Sequence, residues 1–337
     1  MMVRECGQAE RRMMMNKTLV LCACMIASVC VGGEIVDINS VRDGVSIIAT
    51  PSGTQDVHLV NGSGVYAEVS SHAGAGALHV RNIHDGICIS AGEITGHSLV
   101  HKFGNAPDMD YDSGFEFTIW DGAEDGAAWE NGRYDYSTTA DIDSISSSDN
   151  SDTVDIEIQG LDSTSNLCAQ TVTLVGTQRV ALATNLYRVF RAKNVGASDL
   201  TGHVIIYPNT AIAAGVPSDK SKVRCVVQPD NNQTEMAIYT VPAGETAYVR
   251  SIDFASSGAS KSTSYICRLY ARSPGGVFRL QKKLALQDGG TTTYQYTYSD
   301  PPKYTAGTDL EMTVELTATG ATAASVSGGF DLVLIND

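Results

Sequence analysis

Apolar and polar positions alternate with a period of two along most of this chain, in runs that are short and broken by glycine or proline. Val154, Ile156 and Ile158 alternate with Asp155, Glu157 and Gln159 before Gly160-Leu161-Asp162 interrupts them. Successive side chains of a strand point to opposite faces, so the run predicts a strand with one buried and one wet face. Thr171–Val175 follows, rich in the β-branched residues that pack well on a pleated surface. Val180–Ala192 is a longer apolar run interrupted by Arg188 and Arg191, and His203–Tyr207 is the next strand. Residues 208–230, with Pro217 and Pro229, predict a long polar connection. Two hairpins are predicted beyond it. One joins Thr234–Val241 to Glu245–Phe254 through Pro242-Ala243-Gly244. The other joins Thr263–Ala271, whose polar face Arg268 and Arg272 mark, to Val277–Leu286. Thr292–Tyr298, Leu310–Ala318 and Ala324–Ile335 close the set. So many short strands, spaced by turns, predict an all-β fold with an antiparallel sandwich or jelly roll over residues 141–337.

Upstream the signals weaken. Residues 91–140 read as a loop-rich connecting segment in which only Phe115–Trp120 alternates. Residues 34–90 read as a small β region or arm, with strands at Val45–Ala49, Val57–Val60, Val65–Val69, Leu78–Val80 and Ile87–Ile89. Residues 1–33 have the build of a secretory leader. Arg11, Arg12 and Lys17 precede the apolar stretch Thr18–Val31, which is short for a membrane span, and Val31-Gly32-Gly33 places small residues at a cleavage position. Removal of such a leader leaves no stable membrane anchor. A start codon assigned too early is the other reading.

The string SSSDNSDTVDIEIQGLD followed by QTVTLVGTQRVALATNLYRVFRAKNVG resembles a group of tailed-phage virion proteins common in marine phage genomes. Gly96–Gly104 upstream and Met236–Gly244 downstream fit the same group, and the resemblance covers roughly residues 91–337. It implies a virion location and a structural role in head decoration or at the head–tail junction. The partners it implies are further copies of the chain and other virion proteins.

Composition sharpens this picture. Hydrophobic residues make up 43% and charged residues 18% of the chain, which suits a folded protein rather than a disordered one. The formal charge is −15, and the leader contributes more basic than acidic residues, so the remainder is more acidic still. A surface of that sign repels phosphate backbones and argues against nucleic acid as a partner.

No nucleophile elbow, phosphate loop, dinucleotide fingerprint or paired CxxC is present, so no catalytic residue, cofactor or metal ligand is assigned. Cys88, Cys168, Cys225 and Cys267 are far apart and read as buried thiols, with disulfides as the alternative in an exported chain. His97 and His101 lack the glutamate of a metalloprotease motif and read as part of a structural segment. Asp108, Asp110 and Asp112 resemble a calcium loop but fail the EF-hand pattern, which leaves a non-EF oxygen site as the alternative. Trp120, Trp129, Tyr134 and Tyr136 form an aromatic cluster that reads as a loop staple. Its alternative is a sugar platform, which would make the chain an exported adhesin or glycan-binding module. Tyr294, Tyr296 and Tyr298 share one strand face and are the candidate interface residues, because tyrosine combines contact area with a hydroxyl that tolerates water.

Overall fold

The computed structural model describes residues 86–337 apart from 112–113, 125, 258–263, 288–290 and 318–323, together with the backbone of seven strands nearer the N-terminus. Those strands are β1 (Leu19–Leu21), β2 (Ala27–Val31), β3 (Glu34–Ile38), β4 (Val45–Ala49), β5 (Val57–Asn61), β6 (Tyr66–Val69) and β7 (Val80–Asn82). They form an antiparallel sheet in the order β1-β4-β5-β6-β7 and a separate β2–β3 pair. The leader's Arg11, Arg12 and Lys17 lie outside the described residues. The stretch Ile87–Ile89, expected as a strand, is instead part of a helical turn over Gly86–Ser90, closed by the Ala91 N–H donating to the Ile87 carbonyl at 2.8 Å. Among the described residues, no helix is long and apolar enough to cross a membrane.

Ser98–Asp337 forms a second compact unit. It opens with β8 (His97–Met109) and β9 (Phe117–Thr118). Then come β10 (Ile142–Ser147), β11 (Asp155–Leu161), β12 (Leu167–Thr173), β13 (Val180–Leu186), β14 (Arg188–Asn194), β15 (Val204–Pro208), β16 (Ile212–Ala213), β17 (Val216–Pro217) and β18 (Cys225–Val227). It finishes with β19 (Ile238–Thr240), β20 (Glu245–Ser257), β21 (Ser264–Arg272), β22 (Arg279–Gln287), β23 (Thr291–Thr297), β24 (Lys303–Thr305), β25 (Asp309–Leu316) and β26 (Ala324–Asn336). The fold is all-β with antiparallel pairing, and the chain repeatedly switches sheet between consecutive strands.

Sheet order shows one sandwich set inside another. The inserted sandwich has sheets β13-β10-β15-β18 and β12-β11-β14. The base sandwich has sheets β19-β25-β21-β22 and β23-β20-β26-β8, so its strands come from both sides of the insertion. Thus β8, expected within a loop-rich segment, completes a sheet whose other strands lie more than a hundred residues later. The expected 234–254 hairpin is absent, because β19 and β20 belong to different sheets of the base sandwich. Its turn is held from the inserted sandwich, where the Ser165 carbonyl accepts the Ala243 N–H at 2.8 Å. The run Val180–Ala192 is two strands, β13 and β14, in opposite sheets, and the polar connection 208–230 contains the fully buried β18.

Period-two burial explains both cores. Ile156 and Ile158 are fully buried in the insert, as are Ile252, Phe254, Phe330 and Leu332 in the base. Each such side chain contributes about 1.5–3 kcal/mol relative to exposure. Gly104 on β8 marks a close backbone approach. A Cβ there would lie 2.3 Å from the Ile119 carbonyl and 2.4 Å from the Ala237 nitrogen, two backbone atoms that hydrogen-bond to each other. Gly104→Ala should therefore cost about 1–3 kcal/mol of unfolding free energy through forced backbone displacement. Denaturant titration checks this, and an unchanged midpoint would refute it.

Candidate functional site

Sheet register brings charged residues together on one face of β21 and β25. Cys267, Leu269 and Ala271 oppose Val314, Met312 and Leu310 on the core face. Arg268, Tyr270 and Arg272 oppose Thr313, Glu311 and Asp309 on the other. A bare sandwich would leave that second face wet. Here residues 116–137 and strand β14 cover it, so Asp309, Glu311 and Thr313 are as buried as the apolar row.

Asp309 is the centre of this joint. It accepts from Arg188 Nε at 3.1 Å, from Arg272 Nη2 at 2.6 Å and from Thr240 Oγ1 at 2.6 Å. Arg188 comes from the inserted sandwich and also donates to the Ser137 carbonyl at 2.6 Å. Guanidinium groups stack readily on aromatic rings, and Tyr136 lies between the two, with Arg188 5.0 Å and Arg272 4.5 Å from its ring centre. Glu311 accepts from Thr118 Oγ1 at 2.6 Å, and Arg133 Nε stands 3.8 Å away. Burial pushes the Glu311 carboxyl up to about 7. Glu116 links Arg268 with Arg133, and Arg268 reaches Glu315 at 2.6 Å.

A second buried charge lies where β8 meets the insert. Lys102 occupies the inward row with Gly104 and Ala106, and its Nζ donates to the Phe190 carbonyl on β14. Burial, aided by Arg191, pushes it down to about 7. Phe190 in turn packs against Tyr239 on β19, ring centres 4.8 Å apart. One edge of the base sandwich, formed by β8 and β19, is thus occupied by the insert.

The opposite edge is open. There β22 pairs only with β21, and β23 only with β20, among the described residues. On this edge Val277 is 70% and Leu280 49% exposed. Tyr294 and Tyr296 lie opposite Phe254 and Ile252, which are fully buried, so the tyrosine face turns inward at the rim. Tyr294, Tyr296 and Tyr298 are half-buried against the core, Tyr296 and Tyr298 meet edge to face, and Lys282 Nζ sits 3.6 Å from the Tyr296 ring centre.

The remaining sequence candidates have structural surroundings. Trp120 is buried and meets Tyr134 edge to face, so its indole offers no open face for a sugar, and Trp129 is half-buried with its ring 3.9 Å from that of His203. His97 and His101 lie on β8, and His101 bonds Asp331 at 2.7 Å. Asp108, next to last in β8, has a positive φ of 53°. Asp112 lies outside the described residues, and no three His, Cys, Asp or Glu among the described ones are placed to hold a metal ion. Cys225 and Cys267 are buried free thiols, and burial pushes Cys267 up to about 12. Cys168 is a half-buried free thiol, and Cys88 lies in the helical turn.

No protein-family model and no curated protein matches the chain. Among solved structures, the cowpea mosaic virus top component is 9% identical, with 61% of this chain and 85% of that chain covered and a TM-score of 0.18. The infectious bursal disease virus Gt strain structure is 11% identical, covering 72% and 73%, with a TM-score of 0.20. A secreted protein of Parabacteroides distasonis is 8% identical, covering 73% and 91%, with a TM-score of 0.16. Likenesses this slight carry no weight for the function of this chain.

Proposed function

We propose that this chain is a non-enzymatic structural protein of a virus particle that works by self-association, as a head-decorating or head–tail connecting component of a tailed phage. The observation that carries self-association is the open edge. Among the described residues, β22 and β23, the outermost strands of the two base sheets, have no further strand on their outward side, and exposed Val277 and Leu280 accompany them. Such edges template pairing with another chain unless they are covered. The buried joint supports the same reading, because it fixes two sandwiches as one rigid piece with its charged groups engaged internally. The resemblance of residues 91–337 to tailed-phage virion proteins supplies the setting. The sugar-binding reading has less support, since Trp120 is buried and Trp129 is half-buried against the His203 ring.

Mass spectrometry of purified particles, together with sedimentation of the isolated protein, tests the proposal. Presence in particles and a concentration-dependent oligomer are expected, whereas a strictly monomeric protein absent from particles would rule the reading out. The rim tyrosines give a finer test. Tyr296→Ala should weaken assembly by about 2 kcal/mol or more, the size of an interface hot spot. The monomer should lose less than the ~3–5 kcal/mol of a deleted core aromatic, because the ring is only half-buried. Melting the monomer beside measuring oligomer formation separates the two. A monomer that collapses without a selective assembly defect would assign these tyrosines to the core alone.

A further inference from the structure

A second surface lies on the outward face of the sheet β23-β20-β26-β8. Register sets its side chains in rows. Ser251 stands opposite Asp331 across β20 and β26, and His101 of β8 bonds the same carboxylate at 2.7 Å. The next row is Asp253, Gly329 and Phe103. The one after it is Ala255, Ser327 and Asn105, with Ser327 Oγ donating to Asn105 Oδ1 at 3.1 Å. His101, Asp253 and Ser327 are exposed, and Phe103 and Asn105 are partly so.

Gly329 makes the centre of this face a depression. A Cβ there would lie 2.7 Å from the Lys102 carbonyl and 3.1 Å from Asp253 Oδ1, so the Asp253 carboxylate leans across onto β26. Glycine inside a strand often marks a place where another group approaches the backbone closely. On the other side of the depression, the His101 and Phe103 rings stack as an apolar ledge, with centres 5.6 Å apart and planes 28° from parallel. The two carboxylates differ in what they engage. Asp331 is held by Ser251 and His101. Asp253 has no hydrogen-bond or ion-pair partner among the described residues.

This combination selects among ligands. Two carboxylates repel phosphate and sulfate groups. A purely apolar partner would strand the free carboxylate, because a desolvated polar group needs a partner of its own. A metal ion lacks a site, since no three His, Cys, Asp or Glu among the described residues are placed to hold one. A sugar ring offers hydroxyls that donate to a carboxylate and a face of C–H groups that packs on an aromatic ring. We infer that this face binds a neutral saccharide, with Asp253 accepting from its hydroxyls and Phe103 packing against its C–H face. Trp120 and Trp129 take no part. The inference goes beyond the self-associating reading and does not depend on it.

The test applies the full-length protein, with a chelator present, to an array of neutral and sulfated oligosaccharides. Calorimetry with the neutral oligosaccharide retained best then gives the affinity. Neutral glycans should be retained, and high salt should leave their binding largely unchanged, because screening acts on pairs of charges and this ligand carries none. Asp253→Ala should weaken binding at least about tenfold, the effect of losing a hydrogen bond to a charged group. Phe103→Leu keeps an apolar side chain but removes the ring, and should weaken binding severalfold. Thermal melting confirms that both variants fold, and Asp253→Ala should melt as wild type because it leaves no partner behind. The inference fails if no neutral glycan is retained, if only sulfated glycans are, or if salt abolishes the binding. It fails equally if both substitutions leave the affinity unchanged, which would put the sugar on another face. None of these outcomes touches self-association, which sedimentation and the composition of particles decide separately.

Discussion

Replacing Asp309 with Ala should lower the unfolding free energy by about 3–5 kcal/mol, the usual cost of leaving a buried ion without its partner. The reason is geometric. Asp309 and Arg188 are both almost fully buried, and the carboxylate also satisfies Thr240 and Arg272. Arg272 is a quarter exposed, so water screens part of its loss, and most of the effect falls on Arg188. For a unit of this size the melting temperature should fall by about 10 °C. Removing both ends of the pair, Arg188→Met with Asp309→Leu, should cost less than Asp309→Ala alone, because no charge is then stranded. Thermal and urea unfolding of the three proteins decides it. An Asp309→Ala loss below about 1 kcal/mol would falsify the view that this pair fastens the insert to the base.

The second large effect is a trough in stability near neutral pH, cut by Glu311 and Lys102. Both sit about 7 in the folded chain, Glu311 raised and Lys102 lowered, chiefly by burial. In the unfolded chain they titrate near ~4.3 and ~10.4. Between those lower and middle values the folded state holds the Glu311 proton more tightly, so stability falls as pH rises from about 4.5 to 7. Between the middle and upper values the unfolded state holds the Lys102 proton more tightly, so stability rises again from about 7 to 10.5. At roughly 1.4 kcal/mol per pH unit, the acid arm amounts to about 3–4 kcal/mol and the alkaline arm to about 5 kcal/mol at most. Lys102→Met should flatten the alkaline arm and raise stability at pH 7, and Glu311→Gln should flatten the acid arm. Chemical denaturation across pH 4.5–10 is the measurement. Difference curves, variant minus wild type, isolate each group, and a flat difference for either one would remove its arm.

How much of this was legible in the sequence depends on what range of the chain each feature involves. Period-two runs located β11, β15, β21, β25 and β26, because burial on one face writes itself into local alternation. Arg268 and Arg272 were recognisable as a polar face for the same reason. What local alternation does not encode is which sheet a strand joins. Strand β8 was missed because Gly104, Asn105 and Pro107 give it weak strand propensity, and its inward row begins with a lysine. The alternation of Glu311 and Thr313 with Met312 and Val314 predicts a wet face. That face is dry because residues 116–137, almost two hundred positions earlier, lie over it. Arg188 could have been suspected, since an arginine interrupting an apolar run needs a partner. That the partner is Asp309 comes only from the nesting of the two sandwiches.

The nesting also sets an order of completion. Strand β26 lies between β20 and β8, and contacts such as Asp108 with Ser325 and His101 with Asp331 span more than two hundred residues. Until the last strand is in place, β8 has no neighbour in its sheet, and the base sandwich exists only as separate pieces. The inserted sandwich has all its strands within residues 142–227 and depends on no such closure. Loop closure over long separations is what slows folding in high-contact-order chains. On a ribosome the insert is therefore complete in sequence while the base still waits for β26. The surface that β26 will cover stays open until β26 itself has been made.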